Sequence, residues 1–235
     1  MAYRYDDLAP GEVYHICSRG VDRRDILLDK ADKERCLALF KHCLPPGIIR
    51  SYSIAKRLKD EIELTGSGSG LVDLLSYCLM DNHLHLLVKE NIEGGTSLYM
   101  QRLLNSYAKY FNLRYKRSGP LFTSRFKAVL VDGDEQVLHV SRYIHLNPYV
   151  AHMVEDPLAY PWSSLGDYIG TTVKKTCHAG LISGMMNSKD FKKTCHTGLI
   201  SGKMNSKDFK SFVKDEADYA RSIEDEKHLL LDYGD

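Results

Sequence analysis

Two apolar runs, Val72 to Met80 and Leu84 to Lys89, stand either side of the dipeptide Asp81-Asn82. So short a polar break between strand-like runs predicts an antiparallel hairpin closed by a tight turn. Within it the chain reads CLMDNHLHLLVKE, and His83 and His85 interrupt the apolar sequence two residues apart. Side chains at i and i+2 of a strand share a face, so two imidazoles project side by side from an otherwise apolar element.

The rest of the chain supplies partners for that hairpin. Glu12 to Ser18 alternates as a first strand, and Ala31 to Leu44 sets Cys36, Leu37, Leu39, Phe40 and Cys43 at helical spacing before Pro45-Pro46-Gly47 ends it. Ile48 to Leu64 is mixed and predicts a short helix, and GSGSG at Gly66 to Gly70 is a flexible turn. Ser97 to Tyr115 is a long helix, Leu121 to Val131 is extended, and Asp132-Gly133-Asp134 turns into a helix from Glu135 to Leu146 that Pro148 should stop. The order is β-α-β-β-α-β-α. Its first six elements fit an α+β fold, a ferredoxin-like antiparallel sheet with helices on one face.

A chain of 235 residues with 43% hydrophobic content holds one ordinary domain with an appendage. The expected division is a domain over residues 1–170 and a helical C-terminal extension over 171–235. No apolar run nears the ~20 residues of a membrane span, and the first residues lack a signal-peptide core. We expect a cytoplasmic protein whose six cysteines are thiols scattered among helices and strands, not a disulfide framework.

The extension contains a near-perfect tandem repeat. KTCHAGLISGMMNSKDFK (175–192) is followed at once by KTCHTGLISGKMNSKDFK (193–210), the two differing only at Ala179/Thr197 and Met185/Lys203. Two copies are too few for a solenoid, and so close an identity reads as a duplication. Only the second runs on into an apolar stripe of Phe209, Phe212, Val213 and Ala217, which suggests that the first copy is the added one. The recurring Cys-His pairs (Cys177-His178, Cys195-His196) fit no standard zinc spacing.

Net charge is only +1, but its distribution is uneven. Gln101 to Lys127 carries Arg102, Lys109, Arg114, Lys116, Arg117, Arg125 and Lys127 without a single acid, interleaved with Tyr107, Tyr110, Phe111, Tyr115, Phe122 and Phe126. Cations among aromatics suit a surface that tracks a phosphate backbone and stacks bases. A solvated helix face with core aromatics would read the same way.

Two histidines on one strand face suit a divalent ion better than a lone core histidine would, but they do not complete a site. SRYIHLNP, Ser141 to Pro148, offers more. Tyr143 and Asn147 are four apart, on one helix face. An amide oxygen is a suitable ligand for magnesium or manganese, and a phenol oxygen beside the metal can attack phosphorus. Spacing alone would equally allow Tyr143 to be a core aromatic.

Taken together, YHICSRGVDRRDI, YCLMDNHLHLLV, GPLFTSRFKAVLV, YIHLNP and YPWSS, in this order, closely resemble the HUH single-tyrosine transposases, and within them the REP-associated tyrosine transposases. The resemblance runs from Val13 to about Tyr168. It implies the HUH nuclease fold and a metal-dependent enzyme, using Mg2+ or Mn2+, that nicks and rejoins single-stranded DNA through a 5′-phosphotyrosine and a free 3′-hydroxyl. It places the histidine pair on His83 and His85, the nucleophile on Tyr143 and the polar third ligand on Asn147. The implied partners are single-stranded DNA hairpins of palindromic repeats, bound by a monomer or homodimer with no membrane involved. Gln101 to Lys127 becomes the candidate hairpin surface. Two rivals remain: a domesticated module that binds single strands without cutting, and a metal hydrolase that uses water.

Overall fold

The computed structural model of the chain describes residues 8–59, 67–123, 125–171, 176, 177, 210 and 213. Its centre is a four-stranded antiparallel sheet in the order β2-β3-β1-β4, formed by β1 (Val13–Arg19), β2 (Val72–Leu79), β3 (His83–Glu90) and β4 (Lys127–Val131). The hairpin closes as expected, with Met80 N–H donating to the His83 carbonyl at 2.9 Å. Register puts Cys17 opposite both His85 and Lys127, and Arg19 opposite His83. Because opposed residues share a face, His15, Cys17, Arg19, Ser76, Cys78, His83, His85 and Lys127 all project from one side of the sheet.

The other side is apolar and carries the two helices of the ferredoxin-like unit, α1 (Lys30–His42) and α3 (Gly95–Arg114). Phe40 of α1 meets Tyr77 of β2 edge-on at 5.3 Å, and the Tyr99 hydroxyl of α3 donates to the Phe40 carbonyl at 3.3 Å. Helix α1 starts where Asp29 caps it, accepting from the Asp32 N–H at 3.0 Å, while Asp32 reaches back to the Leu28 N–H at 3.0 Å. Gly95 opens α3 against the hairpin's base, where any Cβ would collide with the Leu71 carbonyl oxygen. The mixed segment after the first helix holds a short helix, α2 (Tyr52–Leu58).

The seventh element departs from expectation in one respect. Helix α4 (Gly133–Val150) does not stop before Pro148 but runs through it. Proline removes one N–H and hence one bond, that to the Ile144 carbonyl. So close to the helix end the turn is held by its neighbours instead: Ala151 N–H donates to the Asn147 carbonyl and Met153 N–H to Pro148, both at 2.9 Å. Helix α4 lies on the histidine side of the sheet, opposite α1 and α3, and its Ser141 hydroxyl is 2.7 Å from that of Ser76. The extended segment after α3 is also shorter as a strand than expected. Only Lys127–Val131 joins the ladder. Before it, Leu121 and Phe122 are held beside the end of β1 by a Gly20–Phe122 bridge and by Val21 N–H donating to the Leu121 carbonyl at 2.9 Å.

The YPWSS motif (160–164) proves to be an edge cover. Leu79 N–H donates to the Trp162 carbonyl at 3.0 Å, Ser164 N–H to the Tyr77 carbonyl at 2.9 Å, and the Tyr160 hydroxyl to the Leu79 carbonyl at 2.5 Å. The outer rim of β2 is thereby closed to other strands. A last short helix, α5 (Leu165–Ile169), places Tyr168 so that its hydroxyl reaches Ser76 at 2.9 Å.

The five cysteines among the described residues are buried free thiols, as composition suggested. Most of the repeat and of the chain after it lies outside the described residues. From the first copy, Thr176 and Cys177 N–H groups both donate to Asp167, at 2.8 and 3.1 Å. Cys177 and the later Val213 belong to the same buried cluster as the sheet, so the start of the first copy, at Thr176 and Cys177, is packed onto the body even though the sequence suggested that this copy was the added one. Among the described residues no helix is long and apolar enough to cross a membrane.

Candidate active site

Strand β3 aims His83 and His85 at α4, and α4 answers with Tyr143. The His83 and His85 rings are perpendicular at 4.9 Å between centroids. Tyr143 meets His85 edge-on at 5.9 Å. Both histidines are buried, at 8% and 0% exposure, while Tyr143 is half-buried. Two of the sequence-derived candidates on a strand and a third 58 residues later on a helix are therefore one cluster.

Hydrogen bonds orient the His83 ring. Its Nδ1 lies 2.5 Å from the Asn82 amide oxygen, which can only accept. The Asn82 amide nitrogen donates to the Arg23 carbonyl at 3.3 Å, which fixes the orientation of the amide. His83 Nδ1 therefore carries a proton, and in the neutral ring Nε2 holds the lone pair.

Asn147 sits one turn beyond Tyr143, at 8% exposure. Its amide nitrogen donates to the Tyr143 carbonyl at 3.1 Å. That bond turns the nitrogen inward along its own helix and makes the oxygen the end of the amide able to act as a ligand. Among the described residues no three His, Cys, Asp or Glu side chains converge as a metal site. His83 and His85 can offer imidazole nitrogens and Asn147 an amide oxygen, donor types that suit a divalent ion.

A third histidine enters that the sequence reading had not singled out. His15 of β1 stacks on His85 with ring centroids 5.1 Å apart and its Nε2 2.9 Å from His85 Nδ1. It also meets Tyr143 edge-on at 5.9 Å. The signal was present, since a histidine breaks the apolar alternation of VYHICS, but only the β1–β3 register puts it beside His85. Arg19, opposite His83, and Lys127, beyond Cys17 on β4, put two cations on the same face. The remaining histidine of the YIHLNP motif has a structural place. His145 is fully buried, bonds Ser164 at 2.7 Å, and burial lowers its pKa to about 3, so it is neutral at physiological pH.

The seven basic candidates divide. Arg114 is tied to Asp29 and Asp32, with Nη–O distances of 2.6 Å to each. Arg102 donates to the Pro45 carbonyl at 2.7 Å and to that of Gly47. Arg117 donates to the Asn112 amide oxygen at 2.8 Å and to the Pro120 carbonyl at 3.4 Å. These three serve the fold; for Arg114 that use is invisible within an acid-free stretch because its acids come from the start of α1. Lys109, Lys116 and Arg125 are exposed. Arg125 also lines a groove of about 670 Å³ along α3, together with Gln101, Asn105, Phe122 and Phe126. The groove abuts the end of β1, where Thr123 N–H donates to the Arg19 carbonyl at 2.9 Å.

Residues 48–147, which span the histidine hairpin and end at Asn147, match the family model described as transposase IS200 like. That segment is similar to the IS200-like transposases. The fold agrees: a solved structure described as a REP-associated tyrosine transposase bound to a REP hairpin matches with a TM-score of 0.50 at 13% identity, covering 75% of this chain and 90% of that one. At that identity the likeness is one of fold. No curated protein matches the sequence significantly. The matched range contains the hairpin, the long basic helix and most of α4, while β1 with His15 precedes it.

Proposed function

We propose that this chain is a transposase, a single-strand DNA endonuclease and strand transferase with Tyr143 as its nucleophile. The observation that carries the reading is the packing of Tyr143 against His85, on the face where His83 and His85 stand together. The phenol oxygen attacks a backbone phosphorus and its proton is lost. The bond from phosphorus to the 3′ oxygen breaks, the 3′-hydroxyl leaves protonated, and the 5′ side stays on Tyr143 as a phosphotyrosine. Because the ester is conserved in that adduct, another 3′-hydroxyl can displace the tyrosine and rejoin the strand.

His83 and His85 through Nε2 and Asn147 through its amide oxygen would hold Mg2+ or Mn2+, which when bound polarises the phosphate and offsets developing charge. Arg19 and Lys127, on the same face, attract the phosphate electrostatically. Half-burial of Tyr143 limits competition by water, and His83 keeps a fixed tautomer through Asn82. The substrate is a hairpin-forming palindromic repeat. The exposed cations Lys109, Lys116 and Arg125 and the groove of Phe122, Phe126, Gln101 and Asn105 support a surface for its backbone and unpaired bases. The solved relative carries a REP hairpin, which supports the same class of partner.

A denaturing gel of protein with end-labelled hairpin oligonucleotide and Mn2+ tests this. A covalent protein–DNA species that is absent with Tyr143→Phe is expected. Cut DNA without an adduct would make water the nucleophile, and bound but uncut DNA would make the chain a binding module.

A further inference from the structure

Each of the two candidate metal-binding histidines has its Nδ1 engaged by a neighbouring side chain. His83 gives its Nδ1 proton to Asn82. His85 has its Nδ1 2.9 Å from His15 Nε2, in a buried contact between strands 70 residues apart in sequence. Two arrangements of that contact exist. If His15 donates, the neutral His85 ring carries its own proton on Nε2 and has no lone pair left to offer. If His15 accepts, His85 holds its proton on Nδ1 and presents Nε2 as a ligand. Only the second matches the tautomer already fixed in His83.

We propose that His15 is a positioning residue: it accepts the His85 Nδ1 proton, and so fixes the tautomer and ring plane in which His85 binds a divalent ion. The proposal rests on the reading of His83 and His85 as metal ligands. Stacking at 5.1 Å with an interplanar angle of 27° holds the two rings side by side. Edge contacts from Tyr143 to both rings place the nucleophile against the pair. His15 is therefore the element through which β1, outside the matched transposase segment, controls the site. Ligating histidines are commonly oriented this way by an acceptor on their other nitrogen, and losing it costs 10–100-fold in metal affinity.

The test uses the full chain, titrated with Mn2+ alone in a calorimeter, with melting temperature as the control for folding. His15→Leu should bind Mn2+ about 10–100-fold more weakly. His15→Gln, whose side-chain oxygen can accept the same hydrogen bond, should recover most of that loss. Nitrogen-15 imidazole spectra of the metal-free protein should show His85 protonated on Nδ1 in the wild type and in His15→Gln, and shifted toward Nε2 in His15→Leu. If His85→Ala loses Mn2+ binding while a folded His15→Leu keeps it, the proposal is overturned and the metal reading stands. A wild-type His85 protonated on Nε2 overturns it as well, without any variant. If His85→Ala itself keeps full Mn2+ affinity, the metal reading falls and the role of His15 with it.

Discussion

Arg114 Nη1 lies 2.6 Å from a carboxylate oxygen of Asp32, a residue with no solvent exposure, while Arg114 Nη2 reaches Asp29 at the same distance. Tyr110 and Tyr115 also donate to Asp32, at 2.9 and 2.8 Å. An arginine from the most basic stretch of the sequence is thus the lock between the start of α1 and the end of α3. Arg114→Ala should lower the melting temperature clearly. Asp32→Ala, which strips a buried carboxylate from four donors, should cost about 2–4 kcal/mol. The Asp29 carboxyl is held below the usual carboxylate range, chiefly by the Arg114 hydrogen bond. A depressed pKa stabilises above the unfolded value near ~3.9 and is lost as pH falls through the folded one. The stability gap between wild type and Arg114→Ala should therefore narrow below pH ~4, and melting curves across pH 2.5–7 would show it.

DNA binding should depend on the cations left exposed. Lys109→Ala, Lys116→Ala and Arg125→Ala combined should weaken hairpin binding and flatten its salt dependence. Each lost phosphate contact removes about 0.7–0.9 from the log–log slope. Fluorescence anisotropy between 50 and 300 mM salt measures it. An unchanged slope would place the hairpin elsewhere.

Tyr143→Phe removes one oxygen and leaves the ring against His85. Folding, Mn2+ binding and hairpin affinity should stay at wild-type levels, while the covalent adduct falls to background. Peptide mapping of the wild-type adduct should find the nucleotide on Tyr143. Tyr149, the nearest alternative along α4, is buried at 7% exposure, and an adduct there would refute the assignment.

His83→Ala and His85→Ala should abolish cleavage and Mn2+ binding while sparing hairpin affinity within about threefold, since phosphate contacts made elsewhere supply most of it.

Deleting Lys175 to Lys192 should leave the protein folded. The cut joins Lys174 to Lys193-Thr194-Cys195, the same residue types as Lys175-Thr176-Cys177. Cys195 can therefore take the buried place of Cys177, and Thr194 N–H that of Thr176 at Asp167. The melting temperature should fall by no more than a few degrees. A collapse of stability would mean that the first copy has contacts the second cannot replace. In the whole chain Cys177→Asp should be destabilising, because it buries a second negative charge beside Asp167.

Sheet, hairpin and helices were legible because periodicity is a property of the local backbone. Alternation at two residues marks β1 and β3, and spacing at three and four marks α1, α3 and α4. The same rules put His83 beside His85 and Asn147 one turn from Tyr143. Pro148 was misread because a missing N–H costs less in a last turn held by Ala151 and Met153. Everything that joins distant segments was out of reach of such patterns. His15 meets His85 across 70 residues, and Arg114 meets Asp29 across 85. These partners are chosen by strand order and by the face on which each helix packs, and both are set when the whole apolar surface is buried at once. Thus the chemical types in the site were readable along the chain. Which side chains stand beside each histidine, and which cations are spent on the fold, follow from contacts that form only when the sheet and helices close on one another.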